Sequence, residues 1–184
     1  MTTSPAPEWQ TTAWLNTPEP LSLERLRGRV VLLHAFQVLC PGCVARGIPQ
    51  AQRAAQAFAG SSLTVVGLHT VFEHHEAMQL PSLRAFVHEY RIAFPVGVDA
   101  PGPSGDQLPL TMRAYGMQGT PTTVLIDAKA KGRLRKQIFG VHDDLLLGAN
   151  LQRLLSEAES SEVPEALSGG AAPDCWCDSG SCGT

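Results

Sequence analysis

The chain has 184 residues, a net charge of −3 at pH 7 and 43% hydrophobic residues. This length and composition suit one globular domain with additions. Its 14 basic residues are few and scattered, and no apolar run is long enough to cross a bilayer. We therefore expect neither nucleic acid nor a membrane as a partner.

The first segment, residues 1 to 13, is polar and contains prolines, and we expect it to be a loose arm. It lacks the basic start and apolar stretch of a signal peptide, although a chain that had lost its leader would begin in the same way. At face value this predicts a cytoplasmic protein whose five cysteines start reduced. Cysteines in that compartment indicate catalysis, redox sensing or metal binding more than structural disulfides.

A continuously apolar run, residues 30 to 36, predicts the first confident strand, covered on both faces and interrupted by His34. It leads into Cys40-Pro41-Gly42-Cys43, and a helix-prone run over residues 44 to 59 follows. Pro49 within that run cannot donate a backbone hydrogen bond, so we expect a kink or bulge there.

The two cysteines predict a dithiol/disulfide couple. If Cys40 opens the helix, its sulfur faces unpaired backbone N–H groups and the positive end of the helix dipole, and both favour the reactive thiolate. Pro41 suits the first helical turn, and Gly42 adds no side chain that would block a partner. Two other interpretations are a zinc site, which needs a second ligand pair that the folded part of the sequence lacks, and two inert buried thiols.

The later elements alternate between strand and helix patterns. Strands are predicted over residues 63–68, 94–98, 120–127 and 134–139, and helices over 81–90, 110–115 and from Asp143 or Asp144 onward. The short turn over residues 128 to 132 makes an antiparallel hairpin of the last two strands.

The composition changes at residue 159, after which no Lys or Arg occurs and acidic and small residues recur. This predicts a flexible acidic tail over residues 159–184, which contains Cys175, Cys177 and Cys182. Residues 159 to 174, extended at about 3.3–3.6 Å each, reach on the order of 50 Å. The tail thiols therefore form a tethered redox relay, bind Zn or Cu(I), or have no defined role.

This order of elements resembles the thioredoxin superfamily, most of all its redoxin and TlpA-like thiol-disulfide oxidoreductases. The resemblance covers roughly residues 14 to 156, inside a domain that we place at 14–158, and includes signatures at residues 20–33 and 119–127. It implies an α/β, thioredoxin-like fold: a mixed central β-sheet with helices on both faces. It also implies that Pro121 is cis and lies against the cysteines, and that Thr120 offers backbone hydrogen bonds to the substrate chain.

The sequence also departs from that family. Leu39 stands where tryptophan is common, and His34 replaces a buried acid or amide. We interpret Cys40 as the attacking thiolate and Cys43 as the resolving thiol. His34 either relays the proton that Cys43 loses or is a core histidine satisfied by one hydrogen bond. Gln37 stands where a peroxiredoxin carries threonine or serine, which argues against a dedicated peroxidase.

The predicted function is thiol-disulfide exchange without an organic cofactor, in a monomer or dimer. Its partners are protein or small-molecule disulfides and a reductant. One alternative is a thiol peroxidase with an antioxidant role that uses Cys40. The other is a metal-binding thioredoxin-fold module, for which His69 is the nearest candidate ligand. His74 and His75 are expected in a solvated loop, and no metal is predicted in the core.

Overall fold

The computed structural model describes residues 4–103, 107–129, 132–140 and 142–162. The strands are β1 (Thr11–Leu15), β2 (Val30–Phe36), β3 (Leu63–His69), β4 (Val96–Asp99), β5 (Thr122–Ile126) and β6 (Leu134–Phe139). A π-helical turn, Cys43–Gly47, runs into α1 (Ile48–Ala57), and later helices are α2 (Leu80–Glu89), α3 (Leu110–Ala114) and α4 (Asp144–Glu162).

The six strands form one mixed sheet in the order β1-β4-β3-β2-β5-β6. Strands β2, β3 and β4 are parallel, whereas β1 and the β5–β6 hairpin join antiparallel at the two sides. Every residue of β2 is buried, as its continuous apolar run predicts. The predicted fold class and the terminal hairpin are confirmed.

Alternate residues of β2 enter two cores, because successive side chains on a strand point to opposite faces. Val30, Leu32 and Phe36 pack with residues of α1, α2 and α4. Val31, Leu33 and Ala35 pack on the other face with residues from the N-terminal segment and from the end of α3. Helices therefore cover both faces, and His34 lies on the α1 side.

The N-terminal segment differs from the loose arm that we expected over residues 1 to 13. Thr11–Leu15 forms an edge strand that pairs with β4, and Trp9 is buried, its indole N–H donating to the Tyr115 hydroxyl over 3.2 Å. Pro5 forms a bridge to Arg133. The segment is fixed by partners distant in sequence, which its composition does not reveal.

The bulge expected near Pro49 is present as the π-helical turn. The Ile48 N–H donates to the Cys43 carbonyl, five residues earlier, instead of four as in an α-helix. Pro49 then occupies the first turn of α1, directly after the π-helical turn.

Helix α4 corrects the predicted start of the tail. The helix continues to Glu162, beyond the boundary expected at residue 159. Of the two capping candidates it is Asp143 whose carboxylate accepts the Leu146 N–H, over 2.9 Å. The tail cysteines Cys175, Cys177 and Cys182 lie outside the described residues. Within the described part of the chain, no helix combines the length and apolarity that crossing a bilayer requires.

Candidate active site

Cys40 lies where the loop after β2 becomes helical. Its carbonyl accepts the Val44 N–H over 3.0 Å, the first bond of the helix, and its sulfur accepts the Cys43 N–H over 3.3 Å. This is the position that the sequence predicts, with a backbone N–H directed at the sulfur. Cys40 is only partly buried, so a partner can reach it from solvent.

Cys43 has a different environment from Cys40. It is completely buried in the core between α1 and the sheet. Burial raises the pKa of the Cys43 thiol to about 12, and a hydrogen bond with the Cys40 side chain adds to the increase. Cys43 therefore keeps its proton at neutral pH. Cys40 is accessible for attack, whereas Cys43 is shielded from solvent and adjacent to it.

The peptide bond between Thr120 and Pro121 is cis, as the resemblance implies. The Cys40 thiol donates to the Thr120 carbonyl over 3.5 Å. Gly42 faces Pro121 closely: a Cβ added at Gly42 would lie 3.4 Å from Cδ of the proline. The structure thus brings together four of the predicted site residues, Cys40, Cys43, Thr120 and Pro121.

His34 is buried on β2 opposite Thr123 of β5. Its Nδ1 lies 3.3 Å from the Thr123 hydroxyl, whereas its Nε2 is buried with no hydrogen-bond partner in the described structure. Burial lowers the pKa of His34 to about 4, and repulsion from His142 when both rings are protonated adds to this, so His34 is neutral at pH 7. The single core hydrogen bond is present, and the proton relay remains a prediction.

Gln37 is a site residue whose placement the sequence analysis missed. Its side chain is buried, its Nε2 donates to the Thr120 hydroxyl over 3.4 Å, and its Oε1 has no partner among the described residues. It connects the cysteine loop to the cis-proline loop. A polar residue between an apolar strand and the cysteine motif was the available signal.

A shallow groove of about 480 Å³ begins at Cys40. Leu39 and Phe139 form apolar sides and are 54% and 55% exposed, and Phe72 and Thr120 also line it. A groove of this kind suits an extended chain that carries apolar residues next to its reactive sulfur.

The three histidines considered as metal ligands do not lie together on one face. His69 is buried at the end of β3 with its ring against Phe36, and burial lowers its pKa to about 4. His74 and His75 are exposed in the loop that follows, as expected. The described ranges contain no group of three or more His, Cys, Asp or Glu placed to hold a metal.

A six-stranded mixed sheet with helices on both faces, in which the loop after β2 carries a Cys-x-x-Cys pair beside Pro121, is a thioredoxin-like fold. The chain matches the AhpC/TSA family over residues 2–136 and belongs to that family, within the thioredoxin superfamily.

Known relatives agree with this class. The thioredoxin-like superfamily protein SPOA0173 is 54% identical, with a TM-score of 0.78 over 82% of this chain and 96% of that one. A thiol-disulfide isomerase from Corynebacterium glutamicum is 46% identical, with a TM-score of 0.76 over 82% and 97%. Protein DipZ of Mycobacterium bovis is 30% identical over 151 residues, which are 80% of this chain and 20% of DipZ. The chain thus spans about a fifth of the length of this curated relative.

Proposed function

We propose that the protein is a thiol-disulfide oxidoreductase in which Cys40 attacks and Cys43 resolves. The observation that carries this is the contrast between the two sulfurs: Cys40 is accessible and accepts a backbone N–H, whereas Cys43 is buried, which raises its pKa. A thioredoxin-fold relative, the thiol-disulfide isomerase from Corynebacterium glutamicum, supports the same chemistry.

The reaction has two exchange steps. The Cys40 thiolate attacks a substrate disulfide, forms a mixed disulfide and expels the first substrate thiolate. The Cys43 thiol then loses its proton and attacks the Cys40 sulfur, which expels the second substrate thiolate and leaves the Cys40–Cys43 disulfide. Two electrons pass to the substrate, and an external dithiol reductant restores the pair. No organic cofactor takes part in this scheme.

We propose a protein disulfide as the substrate in preference to a small molecule. The groove at Cys40 has apolar sides at Leu39 and Phe139, which suit a polypeptide segment. Thr120 lines the groove beside Cys40, where its backbone can hydrogen-bond to an extended substrate chain.

We also propose that the tail thiols Cys175, Cys177 and Cys182 exchange with the core pair. The partly exposed position of Cys40 supports this, and residues 163 to 174, which follow α4, can span about 40 Å at about 3.3–3.6 Å each. A tether of this length raises the local thiol concentration. Mass spectrometry of the oxidised, unreduced protein tests it. A disulfide from the tail to Cys40 supports the relay, and zinc or copper(I) retained on the tail supports metal binding.

The test of the main proposal compares Cys40→Ser with Cys43→Ser, each in a full-length chain whose three tail cysteines are serines. Cys43→Ser should accumulate a mixed disulfide with a disulfide-containing protein, and Cys40→Ser should form none. A mixed disulfide on the Cys40→Ser protein would contradict the assignment. Peroxide consumption with a dithiol reductant, far faster than disulfide reduction, would favour the peroxidase.

A further inference from the structure

Gln37 lies between β2 and the cysteine pair, and its side chain is buried although it is polar. Its Nε2 donates to the Thr120 hydroxyl over 3.4 Å, whereas its Oε1 has no partner among the described residues. A buried polar atom without a partner destabilises a fold, and an apolar side chain of the same length would avoid this cost. Packing alone therefore does not explain an amide at this position.

Three hydrogen bonds join Gln37, Cys40 and Thr120 in a closed ring. The Gln37 carbonyl accepts the Cys40 N–H over 3.2 Å, and the Cys40 thiol donates to the Thr120 carbonyl over 3.5 Å. The Gln37 amide closes the ring at the Thr120 hydroxyl. The ring connects the cysteine loop to the cis-proline loop at the attacking sulfur, so Gln37 fixes where the Thr120 side chain lies relative to the dithiol.

The direction of the bond between Gln37 and Thr120 determines what the Thr120 hydroxyl can do. Because the hydroxyl oxygen accepts from Gln37, its own hydrogen remains free to be donated elsewhere. Hydrogen bonds from the Thr120 hydroxyl and from the Gln37 main-chain N–H both lower the pKa of the Cys43 thiol, against the larger opposite effect of burial. Both of these donors to the Cys43 sulfur therefore depend on Gln37.

We propose that Gln37 is a positioning residue for the second exchange step, in which its amide holds the Thr120 hydroxyl as a donor to the sulfur of Cys43. The proposal rests on the proposed function and adds how the buried thiolate is stabilised when it forms. As that thiolate attacks, the Cys43–Cys40 bond forms, the Cys40–substrate bond breaks, and the substrate thiolate leaves with the electron pair. The proton lost by Cys43 passes to solvent and the substrate thiolate takes one up from solvent, so the step is balanced.

A Gln37 side chain that only held the two loops together would behave differently. Its loss would lower stability and would disturb both exchange steps, because the attack by Cys40 also takes place between these loops. A residue that positions the donor to Cys43 affects the second step alone, since Cys40 attacks before Cys43 carries any charge. Loss of the amide should then leave stability the same or raise it, because the unpartnered Oε1 disappears with it.

The test separates the two exchange steps with a chromogenic aromatic disulfide, in the full-length chain with its three tail cysteines changed to Ser. Attack by Cys40 releases a first coloured thiolate at a rate that depends on reagent concentration, and attack by Cys43 releases a second at a rate that does not. Gln37→Met keeps the length of the side chain and removes its donor. Gln137→Met on β6, which removes a hydrogen bond of 3.1 Å to the Tyr115 carbonyl, is the matched control.

Two changes at Thr120 test the same contact from its other side, since Thr120→Val removes the hydroxyl at nearly constant volume and Thr120→Ser keeps it. At pH 7 we expect Gln37→Met and Thr120→Val each to slow the second release by roughly 10-fold, the loss expected for one hydrogen bond to a charged group. Gln37→Met should leave the first release unchanged, and Thr120→Ser should restore the second. Because the two groups act through one contact, the double variant should be no slower than Thr120→Val alone.

A second release at the parent rate in Gln37→Met or in Thr120→Val overturns the proposal. A Gln37→Met protein that slows both releases equally, or that unfolds at a lower urea concentration than the parent, also overturns it and makes Gln37 a structural link between the loops. Failure of Cys40 to release the first thiolate, or absence of any second release in the parent protein, refutes the proposed function instead.

Discussion

Two parts of the molecule differ in how far their buried polar groups are hydrogen-bonded. Near the far end of β5, Asp127 accepts hydrogen bonds from the backbone of Lys129 and Arg133 and from the side chains of Arg133 and Arg135. Around the cysteine pair, His34, Gln37, His69 and His142 each keep one buried atom without a partner in the described structure. We infer that the satisfied cluster stabilises the fold, whereas the unsatisfied groups stay available for chemistry.

Replacement of either cysteine should affect activity far more than stability. We expect Cys40→Ser to lower the rate of protein-disulfide reduction by about 1,000-fold or more, because the attacking sulfur is gone. Cys43→Ser should complete only the first exchange and stop at the mixed disulfide. Insulin reduction followed by turbidity measures the activity of both variants. Equal loss of folding stability in Cys40→Ser and Asp127→Ala would contradict the division into a reactive part and a stabilising part.

The two parts should also lose stability in different pH ranges. The folded-state pKa of His34 is about 4, below its ordinary 6.5, so protonation favours the unfolded chain. The loss of unfolding free energy that His34 causes is absent above about pH 6.5. It grows as the pH falls toward 4, where it reaches roughly 3 kcal/mol. We expect His34→Gln to lose less stability than the parent between pH 7 and pH 4, in urea unfolding at each pH.

The pKa of Asp127 makes stability depend on pH in a different range from that of His34. Burial opposes its charge, but hydrogen bonds from Arg133, Lys129 and Arg135 outweigh burial and hold its pKa below the ordinary value. Its contribution is therefore complete above the unfolded pKa near 4 and is lost only as the pH falls below that. An Asp127→Asn protein that retained the same acid unfolding profile below pH 4 would argue against this role.

At neutral pH, Asp127→Ala should cost about 2–3 kcal/mol of unfolding free energy, because it removes a buried carboxylate that accepts hydrogen bonds from Lys129, Arg133 and Arg135. The rate of disulfide reduction per folded molecule should stay unchanged. Glu24→Ala, which removes an exposed ion pair with Arg27, is the control and should change stability by less than about 1 kcal/mol. Chemical unfolding and insulin reduction, measured on the same samples, compare Asp127→Ala with Glu24→Ala.

The smallest effects concern two helical glycines. Gly47→Ala should cost about 1–3 kcal/mol, because its Cβ would collide with the His34 ring. Gly148→Ala in α4 has nothing within 4 Å of the new Cβ and should gain up to about 1 kcal/mol from helix propensity. Thermal unfolding measures both, and a stabilised Gly47→Ala protein would show that His34 has room to move.

The features that the sequence predicts well depend on local signals. The apolar run of β2, the Cys40–Cys43 motif, the bulge before Pro49 and the terminal hairpin each follow from residues close in the chain. Strand β1 was missed because its hydrogen bonds come from β4, more than 80 residues later, and its Thr-Thr-Ala-Trp-Leu segment has no clear period. The thioredoxin-like fold and the class of protein are confirmed, whereas the roles of the site residues remain proposals.

The parts of the site that escaped prediction depend on tertiary contacts. His142 follows a loop without a pattern and comes near His34 only because β6 returns the chain along β5. Gln37 was noted for what it replaces, but its contact with the Thr120 hydroxyl depends on how two loops meet. The difference in burial between Cys40 and Cys43 is likewise a property of the folded chain, and the sequence, in which both are cysteine, does not reveal it.

The π-helical turn has a consequence for how this site can vary. A single added residue per turn changes the rotational phase of a helix by about 100°. Since the extra residue lies between Cys43 and Pro49, the angle at which the dithiol faces its partner is set separately from the packing of Ala51 and Ala54 on the sheet. A one-residue deletion there would rotate the end of the helix that carries the two cysteines, while the core contacts of the rest of the helix stay the same. The choice of partner can therefore change without a change in the packing of the domain.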